Sequence, residues 1–352
     1  MIIYAKNTNY NDAAIGKLDT PIKMIIEHES DYCKKQGGVC DALFNVEKSN
    51  RFGETIVGQT DFNMFSATAE GEAAAQDTVK ETFYKFIEHI QFTKEFVISA
   101  EMMEDANYGV AADAKHRAEN FVRAYYKTMN RICEQALINA TEYDTSIAGA
   151  TIDLTTGDCY PLFSNKHTWG ISDNGGIQSN YFFGNVFSKD GGDSLTTDVF
   201  EESLYALASK IRNMRDDNGD PLGYTADTII IPGNNPKVES IVKKVCGSYG
   251  TTGTGYNDIN LHYGNWNVVV LPTWQPEDRR IMIMSSEANK NLAGNMFFNR
   301  VPLTVTNWVD NHTGNYIWNG RCRFGVGFGS YKHILLAVDS EDGVENADSF
   351  SY

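Results

Sequence analysis

The spacing of hydrophobic positions changes several times along the chain, and each change marks an element. From Asp113 to Ala140 apolar side chains recur at three- and four-residue steps: Ala118, Phe121, Val122, Tyr125, Met129, Ile132, Ala136, Leu137 and Ala140. That spacing places them on one stripe of a helix, with Asp113 positioned to cap it. Such a helix would run for roughly 42 Å at about 1.5 Å per residue. A shorter helix is predicted in "TPIKMIIEHESDYCKK", opened by Thr20 and Pro21 and closed by the glycines of "KKQGGVC". Residues 1–50 around it read as an arm.

Residues 51–99 read as a long hairpin. "GETIVGQTDFNMF" forms one flank, and the other alternates Phe92, Lys94, Phe96 and Ile98 with Thr93, Glu95, Val97 and Ser99. Between them lies "SATAEGEAAAQDTVK", Ser66 to Lys80, which is small, acidic and alanine-rich. Neighbouring strands are usually joined by two to five residues. A long tip with no large apolar anchor has nothing with which to fold back on its own core.

After the long helix, residues 141–195 are rich in loop residues and too long for a simple connection, so they should pack as an insertion. Then a helix "TTDVFEESLYALASKIRNM", a turn "DDNGDP", a strand "DTIIIP", a helix "NPKVESIVKKV" and strands "WNVVVLP" and "RRIMIMS" follow in order. This alternation predicts a small α/β domain over 196–291. "VPLTVTNWV", "NYIWNGRCRFGV" and "YKHILLAV" read as closing antiparallel strands. The last fourteen residues hold five acids and no Lys or Arg, a composition expected of a solvated or disordered tail.

Composition narrows the function. With 42% hydrophobic and 22% charged residues, the 352-residue chain can bury a sizeable core. Its formal charge of −16 argues against gripping nucleic acid through phosphates, which takes clustered cations. No apolar run is long enough to span a bilayer, and the start has no secretory pattern. The six cysteines fit no common zinc spacing and are expected as reduced thiols, as in a cytosolic protein. One local exception to the acidity is the polar face of the long helix, with Lys115, Arg117, Arg123, Lys127 and Arg131 against Asp113, Glu119 and Glu134. It is either a solvated face or one that meets acidic groups on a neighbour.

The candidate chemical motifs do not assemble into a catalytic site. "GTTGTGY", Gly250 to Tyr256, lacks the Lys-Ser/Thr pair of a phosphate loop and reads as a surface loop. "GVGFG", Gly325 to Gly329, has no helix after it and reads as a strand with one bare face. In "DDNGDP", Asp216, Asn218 and Asp220 alternate as calcium ligands do. Pro221 stands where that loop needs glycine, and Asp227 where it needs glutamate. His167 in "LFSNKHTW" reads as a histidine bonded inside a packed loop before it reads as a ligand or base. No nucleophile, base and oxyanion donor come together in the sequence, so no catalytic residue, cofactor or metal is expected.

The order of arm, long hairpin, long helix, α/β domain and closing strands resembles the major capsid protein of tailed bacteriophages, with its Hong Kong 97-type shell fold. "GDCYPLFSNKHTW" followed by "QSN", then "LTTDVFEESLYALASKIRNMRDDNGDPLGYTADTIIIP", then "NVVVLPTW", resemble its Mu-like major head subunit branch. The resemblance implies an α+β fold: an N-terminal arm (1–50), an extended loop (51–99), a peripheral domain with spine helix 113–140 and the insertion (100–195), an axial domain (196–291), and closing strands with an acidic tail (292–352). It implies self-assembly into hexamers and pentamers of an icosahedral shell enclosing double-stranded DNA. The site is then the virion capsid, assembled in the host cytoplasm with portal, separate scaffold and decoration proteins as partners. The loop would lie over an adjacent subunit, so Ala69, Glu70, Ala74, Gln76 and Lys80 are expected at inter-subunit contacts. Arg123 and Lys127 of the spine are expected there too, as are Thr252, Thr254 and Tyr256 at the axial tip. An encapsulin-like nanocompartment shell and, further off, a cytosolic α/β enzyme are the alternatives. Paired carboxylates or a nucleophile converging in a pocket would mark the enzyme.

Overall fold

The computed structural model describes residues 3–4, 13–60, 62, 64–74, 76–101, 109–169, 176–189, 194–248, 260–340 and 344–350. The chain divides into two compact units, each drawn from three segments. The first comprises Met1–Glu54, Glu88–Cys133 and Phe297–Val326; the second comprises Thr55–Ile87, Glu134–Met296 and Gly327–Tyr352.

The first unit packs two long helices and the short helix Val39–Leu43 with a sheet. Strand Asn295–Val309 lies between Ile3–Tyr4 and Tyr316–Phe328, which pairs in turn with Ile90–Ile98; Asn45–Lys48 also joins Asn295–Val309. The last pair is antiparallel over its whole length, from Tyr316 opposite Ile98 to Phe324 opposite Ile90. The apolar stripe of the long helix explains the packing. Ala118, Phe121 and Val122 are buried with Ile98, Leu303, Val305 and Trp318 of the sheet. Phe96 stacks on Trp318 at 5.1 Å and meets Phe121 edge-on at 5.2 Å. Helix and sheet approach closely because Gly320 has no side chain: a Cβ there would lie 2.2 Å from the Phe121 ring.

The two long helices of this unit start earlier than the sequence indicates. The spine runs Gly109–Ile138, so Asp113 is interior; it pairs with Arg117 at 2.8 Å and does not cap. The N-terminal helix runs Ala13–Gln36, with Thr20 and Pro21 inside it. Its end is as expected, at Gly37 with φ +69°, after Lys34 and Lys35 in the last turn, where cations suit the helix dipole. Ile22 and Ile26 are buried in the same core, so this part of the expected arm contributes to a packed unit.

The second unit is built on a six-stranded sheet in the order Asn267–Leu271, Thr228–Pro232, Arg279–Met284, Ile334–Asp339, Tyr181–Gly184, Asp348–Ser349. Pairing is parallel at Thr228–Pro232 with Asn267–Leu271 and on both sides of Tyr181–Gly184. It is antiparallel on both sides of Arg279–Met284. Helices Thr197–Arg212 and Pro236–Gly247 cover it, and Phe200, Leu204, Leu207 and Ile211 share a core with Ile229, Ile231, Val238 and Val242. Asn235 caps the second helix by accepting from the Val238 N–H at 3.3 Å, with Pro236 at the first position.

Three expectations change here. Ile334–Asp339 does not continue the closing hairpin; it sits inside the α/β sheet, as does Tyr181–Gly184 from the supposed insertion. The acidic tail, where described, is docked. Asp348–Ser349 adds to the sheet edge and Phe350 is buried against Gly184, its N–H bonded to Phe183 O at 2.9 Å. The glycine face of "GVGFG" is not bare: Ile87 lies 2.7 Å from where a Gly327 Cβ would be, and Ala293 O 2.3 Å from that of Gly329.

Candidate assembly surfaces

The hairpin flanks are Gly53–Gln59 and Glu81–Glu88, paired as a two-stranded sheet. The ladder closes at Thr60, whose N–H donates to Lys80 O and whose Oγ1 accepts from the Lys80 N–H, both at 2.9 Å. Beyond that bracket every described residue from Phe62 to Glu81 is exposed. Ala69, Glu70, Ala74, Gln76 and Lys80 all lie there, as the sequence places them. The tip is a turn at Gly71 (φ +88°), where Glu72 accepts from the Ala69 N–H at 3.3 Å.

The loop is not free of large apolar groups, however. The first flank stops at Gln59, short of the "TDFNMF" assigned to it, and this leaves Phe62, Met64 and Phe65 in the loop at 71, 85 and 107% exposure. Sequence reasoning passed over these three residues. The signal was "FNMF" set directly against a small polar run.

The base of the hairpin is anchored by a strand that carries a lysine on its buried face. In Glu81–Glu88, Lys85 is only 5% exposed while Tyr84 and Phe86 face solvent. The Lys85 ammonium donates to Asp153 at 2.5 Å and to Thr155 Oγ1 at 2.6 Å. Burial alone would raise the Asp153 carboxyl; the bonds from Lys85 and Thr155 outweigh it and hold it below the ordinary carboxylate range. Beside it the Phe83 ring lies between two backbones that carry no side chain. A Cβ at Gly58 would sit 2.4 Å from the ring, and one at Gly157 2.0 Å.

On the spine helix Arg123, Lys127 and Arg131 follow at four-residue steps and are all exposed. Arg123 is bonded within its own unit to Glu29 at 2.6 Å. Lys127 and Arg131 have no ion-pair partner among the described residues. Thr252, Thr254 and Tyr256 lie outside the described residues. Leu261 and Tyr263, just beyond that segment, are exposed, and His262 between them packs on Tyr205 at 4.3 Å.

The groups that invited a chemical reading are internally satisfied. His167 is fully buried, with Nδ1 2.7 Å from Asp158 and Nε2 3.1 Å from Leu162 O, and its ring stacks on Tyr331 at 3.8 Å. Burial would raise the Asp158 carboxyl, but its bonds to His167, Thr156 and the Tyr160 N–H hold it low. This is a packed-loop histidine. Asp216 accepts from the N–H groups of Asn218 and Asp220 at 2.9 and 2.8 Å and so folds its own loop, while Asp217 pairs with Lys332 at 3.0 Å. Among the described residues no three His, Cys, Asp or Glu stand together to hold a metal ion, and no helix is long and apolar enough to cross a membrane.

No protein-family model matches the chain, and no curated protein matches its sequence. Solved structures do match. The chain is similar to the capsid structure of the cyanophage P-SCSP1u, at 10% identity over 85% of this chain and 87% of that one, with a TM-score of 0.50. It is also similar to the capsid of an empty GTA particle (14% identity, 86% and 89% covered, TM-score 0.48) and to a Mycobacterium phage Patience structure (14%, 97% and 92%, 0.45). The first comparison carries the fold: the α+β architecture expected from the element order is that of a phage capsid chain.

Proposed function

We propose that this chain is the major capsid protein of a tailed phage, whose copies assemble as hexamers and pentamers into an icosahedral shell around double-stranded DNA. The observation that carries the reading is the Phe62–Glu81 loop: exposed along its described length, in a chain with a capsid fold, beyond a ladder that closes at Thr60 and Lys80. An isolated protein gains nothing from such an element. A neighbouring copy can receive it.

In this reading the hairpin is the extended loop, the first unit is peripheral, and the α/β sheet is axial. The role is structural and involves no reaction. Portal, separate scaffold and decoration proteins would be the partners, with assembly in the host cytoplasm. The excess of acids suits a container, because a wall rich in cations would bind phosphates and hinder movement of the genome.

The test is electron microscopy of the purified chain, alone and co-expressed with its neighbouring genes. Closed shells or capsomers are expected, of a diameter that fits a genome rather than a small compartment. A strict monomer under both conditions, with the loop protected from protease, would refute the reading.

A further inference from the structure

We propose that Asn218 is a site of spontaneous covalent modification, where the Asn218–Gly219 pair closes to a succinimide and reopens as isoaspartate, and that this change releases Lys332 from Asp217.

The sequence contains three Asn-Gly pairs, beginning at Asn174, Asn218 and Asn319. Such a pair is reactive because glycine puts no side chain beside the attacking nitrogen and lets the backbone bend. The Gly219 nitrogen attacks the side-chain carbonyl carbon of Asn218, and a C–N bond forms. The Asn218 amide nitrogen leaves as ammonia, taking the Gly219 N–H proton. Water then adds across one C–N bond of the ring. Cleavage at the main-chain carbonyl leaves isoaspartate, and cleavage at the side-chain carbonyl leaves aspartate. No electrons are gained or lost, and water is the one co-reactant.

The fold separates the two described pairs. Asn319 and Gly320 lie in the strand Tyr316–Phe328, which is paired on both sides. Ring closure needs the main chain to rotate there, and the ladders oppose it. Gly320 is also buried, and the Asn319 amide donates to Glu95 at 2.5 Å. Asn218 is instead exposed in a turn. Gly219 has φ +92°, and its N–H reaches Asp216 O at 3.3 Å. The neighbouring N–H groups of Asn218 and Asp220 are held more tightly, at 2.9 and 2.8 Å from Asp216 Oδ1.

The product does not fit this turn. Isoaspartate routes the main chain through the side-chain carbon and lengthens it by one methylene. The turn is closed by the Asp216 N–H on Asp220 O at 2.8 Å, and Arg215 donates to Gly219 O at 2.9 Å. Gly219 cannot yield inward, because a Cβ there would already lie 3.0 Å from the Trp169 ring. The extra atom must be taken up between Asp216 and Asp220, and Asp217 lies between them. Asp217 holds the Lys332 ammonium at 3.0 Å, with both side chains less than one-fifth exposed. An ammonium left without its acid at that depth is costly, so Lys332 turns to water.

The test ages the folded full chain at neutral pH and follows each Asn-Gly peptide by mass spectrometry, with electron-transfer fragmentation to tell isoaspartate from aspartate. Asn218 should convert about tenfold faster than Asn319, and in urea the two should convert at equal rates. The peptide holding Asn174, which lies outside the described residues, is read separately. Equal rates in the folded chain, or a faster Asn319, would overturn the assignment. So would an Asn218 that stays intact in the folded chain while it converts in urea. Converted chains are then treated with an amine-acylating reagent. Labelling of Lys332 should rise in proportion to isoaspartate at 218, and labelling that stays at the unconverted level would overturn the release. Asn218→Asp adds the charge without lengthening the main chain and should leave Lys332 protected. A Lys332 that labels in that variant, with its circular dichroism unchanged, would show that charge and not main-chain length frees it, against the mechanism proposed.

Discussion

The first unit carries sixteen Lys and Arg against sixteen Asp and Glu, whereas the second carries fourteen against thirty, so the entire formal charge of −16 belongs to the second. The two also cohere differently. In the first, aromatic contacts fill the core: Phe96 on Trp318, Phe92 on Phe324 at 4.8 Å, and Phe297 on Phe324 at 5.1 Å. Its ion pairs, such as Lys115–Glu119 and Arg117–Asp113, follow the helix surface. In the second, cations are scarce and several are withdrawn from water. Lys85, Arg279, Arg280 and Lys332 are each at least half-buried, and each holds an acid. Net charge and the value of individual ion pairs are thus separate quantities. An acidic unit repels itself at its surface and can still be tied internally by a few well-placed cations.

The largest effect should come from Asp339. Its buried carboxylate accepts from the N–H groups of Val186 and Phe187 at 2.9 and 3.2 Å and from Arg279 at 2.9 Å. Asp339→Ala strands all three donors and should cost about 3–5 kcal/mol. Hydrogen exchange should show the loss in second-unit peptides. An equal loss of protection in the first unit would mean that the units unfold together, and the contrast would have no energetic content.

A smaller effect is expected from Gly320→Ala, which presses a methyl group into the Phe121 ring. Overpacking of this kind costs about 1–3 kcal/mol, and here it should fall on first-unit peptides. A neutral result in thermal melts would show that the helix can lift from the sheet.

The smallest concerns acid. Asp158 is held below its ordinary range. Its contribution is therefore complete above the unfolded carboxyl value of about 3.9 and is lost as pH falls through the folded one. Asp158→Asn should lower stability by about 1 kcal/mol at pH 7 and flatten the acid limb of the second unit. An unchanged limb in an acid titration followed by circular dichroism would assign that sensitivity to other carboxylates.

Much of this was legible in the sequence where an element's identity is local. Phe200, Leu204, Leu207 and Ile211 announce their helix by spacing, and "TIIIP" announces a strand buried at all five positions. Pairing is another matter. Nothing in "HILLAV" says that it lies between Arg279–Met284 and Tyr181–Gly184, because those partners are remote in sequence. The tail was misjudged because five acids outweigh one Phe350 in composition but not in packing. Lys85 was hidden for the opposite reason: an inward face is normally apolar, and this one sets a lysine between Phe83 and Ile87 because Asp153 waits for it. Phe62, Met64 and Phe65 were assigned to a strand by propensity, which cannot see where a ladder ends. The Mu-like affinity rests on the sequence stretches that suggested it.

The Phe83 ring between Gly58 and Gly157 has a consequence for descent. The cyanophage capsid structure has this fold at 10% identity, so few positions of the architecture demand one residue type. These three cannot drift one at a time. A lineage that gains a side chain at either glycine must first shrink the aromatic, and one that loses the aromatic is left with a gap flanked by two backbones. The trio should therefore be inherited as a single character, changing together or staying as it is, while the loop above it varies residue by residue.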